Sequence, residues 1–195
     1  MTSSPSSRCL RALVWRRLIS PGSEYFELRQ QADGWTLAGS VVLAIDGQPY
    51  FVDYTVTADA AWGTRDVRVL RRGTGGEELL HLRVDSERRW WKGDTELPHL
   101  QGCPDIDLAC TPSTNTLPIR RLSLEVGQSA DVRAAWIRMP DLSLEVLPQR
   151  YTRLAPTRYR YESGGGRFTA EVDIDEHGLV TNYPPGWERV AVSGG

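Results

Sequence analysis

The sequence predicts an all-β chain, a mainly antiparallel meander with one short helical turn. Three observations carry this. Apolar and polar residues alternate with period two in many short runs, glycine-bearing turns separate those runs, and no long amphipathic helix comes between them.

Taken in order, 9–17 and 24–31 open the series. In GWTLAGSVVLAI, 34–45, Trp35, Leu37, Val41, Leu43 and Ile45 share one face opposite smaller residues, the mark of a deeply buried strand. In 48–59, Tyr50, Val52, Tyr54, Val56 and Ala58 oppose Phe51, Asp53, Thr55, Thr57 and Asp59, a half-buried pattern. After 64–72, the run EELLHLRVD sends Leu80, Leu82 and Val84 one way and His81, Arg83 and Asp85 the other. Within 87–92, Trp90 and Trp91 must point to opposite faces, one into the core and one toward a groove or rim. Runs 131–139, 144–154, 157–162, 167–174 and 179–183 complete the set. Asp33-Gly34, Asp46-Gly47, Gly73 to Gly76, Gly164 to Gly166 and Glu176 to Gly178 supply the turns. RRGTGGEELL lacks the lysine ending of a phosphate loop and precedes a strand, so it reads as a hairpin.

The 195 residues suit a single β domain over 8–192, between a Ser- and Pro-rich disordered tail at 1–7 and a frayed end at 193–195. A net charge of −2, with acids interspersed among the arginines, argues against a nucleic-acid partner. No secretion signal is visible and no apolar run approaches the ~18 residues of an integral membrane segment, so a cytoplasmic location is expected. Cys103 and Cys110 read as free buried thiols, with a bridge across their loop as the alternative.

The segment GCPDIDLACTPSTNTLPIRRL, 102–122, interrupts the strand pattern. Pro104, Pro112 and Pro118 deny regular ladder bonding, Thr111 to Thr116 offer hydroxyls and an amide, and a helical turn is expected at Pro118. His99, Cys103 and Cys110 have no familiar zinc spacing, and no histidine is placed as a base for Cys110. Asp105 and Asp107 share one face of an extended piece, roughly 7 Å apart. That spacing permits glycoside hydrolysis, contact with sugar hydroxyls, or anchoring of Arg120 or Arg121. No catalytic residue, metal or cofactor is assigned.

The run DIDLACTPSTNTLPIRRL, with TRYRYES at 157–163 and VDIDEHGLVTNYPPGWERV at 172–190, resembles the family known as "putative glycolipid-binding" proteins, once a domain of unknown function. The resemblance spans Trp15 to Trp187. It implies a half-barrel, a single antiparallel curved sheet similar to lipoprotein localisation factor folds. It also implies a non-catalytic binder of a glycolipid or other amphiphilic small molecule, as monomer or homodimer. A tail would lie against Trp35, Val41, Leu43, Tyr54 and Val56. Polar candidates for ligand contact are Asp105, Asp107, Thr114, Asn115, Arg120 and Arg121; aromatic candidates are Tyr54, Trp62, Tyr159 and Trp187. The alternatives are a hydrolase using Asp105 and Asp107, or a structural or protein-interaction domain.

Overall fold

The computed structural model describes residues 7–193. Residues 1–6 of the tail expected at 1–7 and the last two residues of the expected frayed end lie outside the described residues. The first run of strands is β1 (Arg8–Arg17), β2 (Gly22–Gln31), β3 (Gly34–Ile45), β4 (Gln48–Asp59), β5 (Thr64–Gly73), β6 (Gly76–Val84), β7 (Trp90–Lys92) and β8 (Thr95–Glu96). The second is β9 (Asp105–Leu108), β10 (Ser129–Ile137), β11 (Leu144–Ala155), β12 (Arg158–Ser163), β13 (Phe168–Ile174), β14 (Val180–Tyr183) and β15 (Trp187–Val192).

All of these strands belong to one curved, unclosed sheet, ordered β8 to β1 and then β15 to β9. The join is β1 against β15, from Leu13 opposite Val192 to Arg17 opposite Trp187. The half-barrel expectation holds. Period-two alternation decides the inner face: on β4, Val52, Tyr54, Val56 and Ala58 are buried, whereas Asp53 is exposed. Trp90 is fully buried while Trp91 is half-buried beneath Arg89, as the adjacent tryptophans required.

Three elements depart from the sequence reading. The strands β8 and β15 were not anticipated, and β9 pairs with β10 in parallel rather than antiparallel fashion. A parallel neighbour needs a long crossover. Residues 109–128 supply it, so the motif segment provides β9 and, from Ala109 onward, most of the crossover. It contains the helix α1 (Thr116–Leu122), which begins two residues before the expected Pro118.

Leu117 and Ile119 of α1 and Ile106 and Leu108 of β9 join the same apolar core as Leu37, Val41, Val56 and Val69 from the first half of the sheet. The interior there is filled. Val41, Val56 and Leu37 are closed to solvent, and Leu43 and Tyr54 are nearly so. The wall expected to hold an acyl tail thus packs against protein. Cys103 and Cys110 are free and buried. Burial raises both thiols, and His99 joins neither of them: among the described residues no three His, Cys, Asp or Glu side chains cluster to hold a metal.

Candidate functional site

The crossover's polar side chains are spent on holding it to the sheet. Tyr54 on β4 donates its hydroxyl hydrogen to Glu24 on β2, and Thr111 Oγ1 donates to the same Glu24 oxygen at 2.9 Å. Ser113 Oγ lies 2.6 Å from the Tyr54 hydroxyl, and the Ser113 amide donates to Thr111 Oγ1 at 3.0 Å. Burial pushes the Glu24 carboxyl up to about 8, against the two hydroxyl hydrogen bonds, and its second oxygen is buried without a partner. Room for this cluster comes from Gly39: a Cβ there would lie 2.5 Å from Glu24 Oε1 and 2.6 Å from the Tyr54 ring.

Further along, Thr114 Oγ1 accepts from the Leu108 amide at 3.3 Å. Tyr151 on β11 donates to Asn115 Oδ1 at 2.8 Å, while Asn115 Nδ2 donates to the Pro112 carbonyl at 3.1 Å. Arg121 donates to both oxygens of Asp105, from Nε at 3.0 Å and Nη2 at 2.6 Å. Asp105 is 1 % exposed, and burial raises its carboxyl against that pairing. Of the two readings for this acid, the anchoring one describes its contacts.

Asp107 has a different setting. In the parallel pairing it lies level with Trp136 on β10, and residues level in this way share a face. Both line a cavity of about 290 Å³ at the end of the half-barrel nearest the β12–β13 hairpin. Thr111 and Asn115 add polar groups, and Trp187 on β15 adds a second indole. Opposite them Tyr161, Phe168 and Tyr183 pack edge to face in a triangle, with centroids 6.0, 6.0 and 6.3 Å apart. Gln149 Nε2 donates to Asp107 Oδ2 at 2.5 Å. Burial pushes the Asp107 carboxyl up to about 6, with that hydrogen bond opposing. Among the described residues no cation pairs with it. Ile19, 59 % exposed, and Phe168, 40 % exposed, put apolar surface at the rim.

The expected ligand residues are therefore divided. Asp107, Asn115 and Trp187 meet at this cavity. Arg120 and Tyr159 border a separate cleft on the other flank of α1's sequence neighbours, with Ser123, Thr157 and Gly178. Asp105, Arg121, Tyr54 and Thr114 sit in the buried networks above, and Trp62 stacks on Trp35 at 4.3 Å beneath the Arg120 guanidinium. Tyr161, Phe168, Tyr183, Trp136 and Glu24 were not among the expected ligand residues. A signal existed for two of them. Tyr161 shares the parity of Tyr159, and Glu24 occupies the inward register of Phe26 and Leu28.

The arrangement offers a weak acid, an amide and a hydroxyl at one end of an aromatic-walled space. It can accept hydrogen bonds from hydroxyls and lay a ring face against aromatic carbon. A two-carboxylate hydrolysis would need a second free acid at the same bond, and Asp105, held by Arg121, does not line the cavity.

The model of a family described as "Putative glycolipid-binding" matches residues 12–189. The chain belongs to that family. A crystal structure of a DUF1089 family protein from Pseudomonas aeruginosa is 37% identical, covers 86% of this chain and 92% of its own, and superposes with a TM-score of 0.79. A β-barrel-like protein of the domain of unknown function DUF1849 from Brucella abortus shares the fold at 10% identity, with a TM-score of 0.56 and coverage of 93% and 95%. No curated protein sequence matches the chain. Membership of the glycolipid-binding family thus rests on nearly the whole domain, from β1 to β15. Among the described residues no helix is long and apolar enough to cross a membrane.

Proposed function

We propose that this glycolipid-binding family member holds the hydroxylated headgroup of an amphiphile, a glycolipid above all, in the Asp107 cavity without transforming it. One observation carries the reading: a carboxyl that, among the described residues, has Gln149 as a partner but no counter-charge faces a space walled by aromatic rings. At about 290 Å³ the cavity is at the small end of the roughly 300 to 1,000 Å³ typical of ligand pockets. One sugar ring suits that size better than an acyl chain does. Hydroxyls would donate to Asp107 and Asn115, and the ring's carbon face would rest on Trp187 or Trp136. The first methylenes of a chain would then pass over Ile19 and Phe168, each buried CH₂ contributing about 0.8 kcal/mol.

Native mass spectrometry of protein purified from its host tests this, paired with calorimetric titration of octyl β-glucoside below its micelle concentration. An intact co-purifying glycosylated amphiphile, and octyl glucoside binding lost in Asp107→Asn, is the expected result. Release of free sugar from octyl glucoside, abolished in the same variant, would instead assign the cavity to hydrolysis. Binding of decanoate with no binding of the glucoside would overturn headgroup recognition.

A further inference from the structure

The cleft of about 230 Å³ bordered by Arg120, Arg153 and Tyr159 has no role in the reading above. Arg120 lays its guanidinium on the Trp62 ring, 5.3 Å from the centroid, and reaches only the Glu176 carbonyl, at 3.5 Å. Arg153, half-buried, donates to the carbonyls of Leu124 and Pro156 at 2.7 Å each, and its Nε is shut off from solvent with no partner. Arg153 also lies over the Tyr159 ring, 5.7 Å from its centroid. Burial raises Tyr159, and Arg153 and then Arg120 oppose that rise.

Asp175 and Glu176 also line the cleft, but their carboxylates are engaged by other arginines. Asp175 pairs with Arg189 at 2.5 Å and Glu176 with Arg11 at 3.0 Å. Among the described residues, neither Arg120 nor Arg153 has a carboxylate within ion-pairing distance, whereas the neighbouring Arg121 takes Asp105. The partly desolvated Arg153 guanidinium without a counter-charge is costly, and the planar fork of the exposed Arg120 fits two oxygens of a tetrahedral anion. Ser123 and Thr157 also line the cleft, and a hydroxyl can donate to a third oxygen.

We propose that this cleft is a second binding site, for the phosphate or sulfate group of an oxyanion. Its volume admits the group itself and leaves the remainder of any larger ligand outside. The site is independent of the Asp107 cavity.

Calorimetric titration in low salt with two probes, inorganic phosphate and monomeric dihexanoyl phosphatidic acid, tests the assignment. Wild type should bind phosphate saturably, and Arg120→Gln should weaken it by about tenfold or more, as should a rise in ionic strength. Arg120 is exposed, so this variant keeps the fold; Arg153→Lys, which retains charge but loses the fork, should weaken binding as well. Asp107→Asn should bind phosphate as wild type does, which separates this site from the headgroup cavity. If the phosphatidic acid binds at least about tenfold tighter than phosphate, the anion belongs to a lipid; equal affinities identify a free oxyanion site. No saturable binding of either probe, or wild-type affinity in both arginine variants, would overturn the proposal.

Discussion

Glu24 offers a prediction whose size follows from its surroundings. In the folded chain its carboxyl is pushed up to about 8, because burial disfavours the charge more than Tyr54 and Thr111 favour it. In the unfolded chain the same group titrates near ~4.3. Between those values the folded protein holds a proton that the unfolded chain releases. The stability gained from neutral Glu24 is complete below the unfolded value and is lost as pH rises toward about 8. The slope is about 1.4 kcal/mol per pH unit, so about 2.5 kcal/mol disappears between roughly pH 5.5 and 7.5. Glu24→Gln has no such proton to lose. Its amide oxygen can still accept from Tyr54 and Thr111, but its amide hydrogens replace the unpartnered oxygen and cost about 1 to 2 kcal/mol at every pH. Urea denaturation of both proteins at the two pH values provides the assay. The wild-type minus variant difference should fall by about 2.5 kcal/mol on going to the higher pH, other titrations cancelling. Parallel profiles would refute the buried neutral acid.

Other substitutions probe the crossover and the cavity. Arg121→Ala leaves Asp105 buried without its partner and should cost about 3 to 5 kcal/mol in urea denaturation, whereas Arg120→Ala should cost far less. Gly39→Ala forces a methyl into Glu24 and Tyr54 and should lower stability by about 1 to 3 kcal/mol, measured the same way. Asn115→Ala strands the Tyr151 hydroxyl and should cost about 1 to 3 kcal/mol. Octyl glucoside affinity should fall as pH drops through about 6, where Asp107 gains its proton and ceases to be a charged acceptor. Asp107→Asn, titrated calorimetrically over the same range, should show no saturable binding at any pH.

The strands were legible where pairing is local. Hairpins such as Gly73 opposite Gly76 put turn chemistry and alternation next to each other, so Val52, Tyr54 and Val56 could be assigned to the inner face from parity alone. The strand β15 was not legible, because Pro184-Pro185 masks its start, its local pairing with β14 is confined to Asn182–Glu188 and Tyr183–Trp187, and its longer ladder is made with the distant β1. DIDL in β9 is too short to show a period, and its parallel partner lies beyond the whole crossover. For the site, the resemblance put Tyr159 among the ligand candidates but gave no rung on which a cavity opens; Tyr161, two residues on, is the one that lines it. The polar run Thr111 to Arg121 reads from sequence as ligand contacts or as packing. Its hydrogen bonds to Glu24, Leu108, Tyr151 and Asp105 assign most of it to packing.

The central claim, that a sugar headgroup occupies the Asp107 cavity, is most directly tested by following the indole N–H resonances during an octyl β-glucoside titration. Trp136 and Trp187 line the cavity, whereas Trp35 and Trp62 stack on each other outside it. Saturable shifts at Trp136 and Trp187, with Trp35 and Trp62 unmoved and the effect absent in Asp107→Asn, are the predicted result. Shifts confined to Trp35 and Trp62, or no saturable shift at any indole, would contradict it.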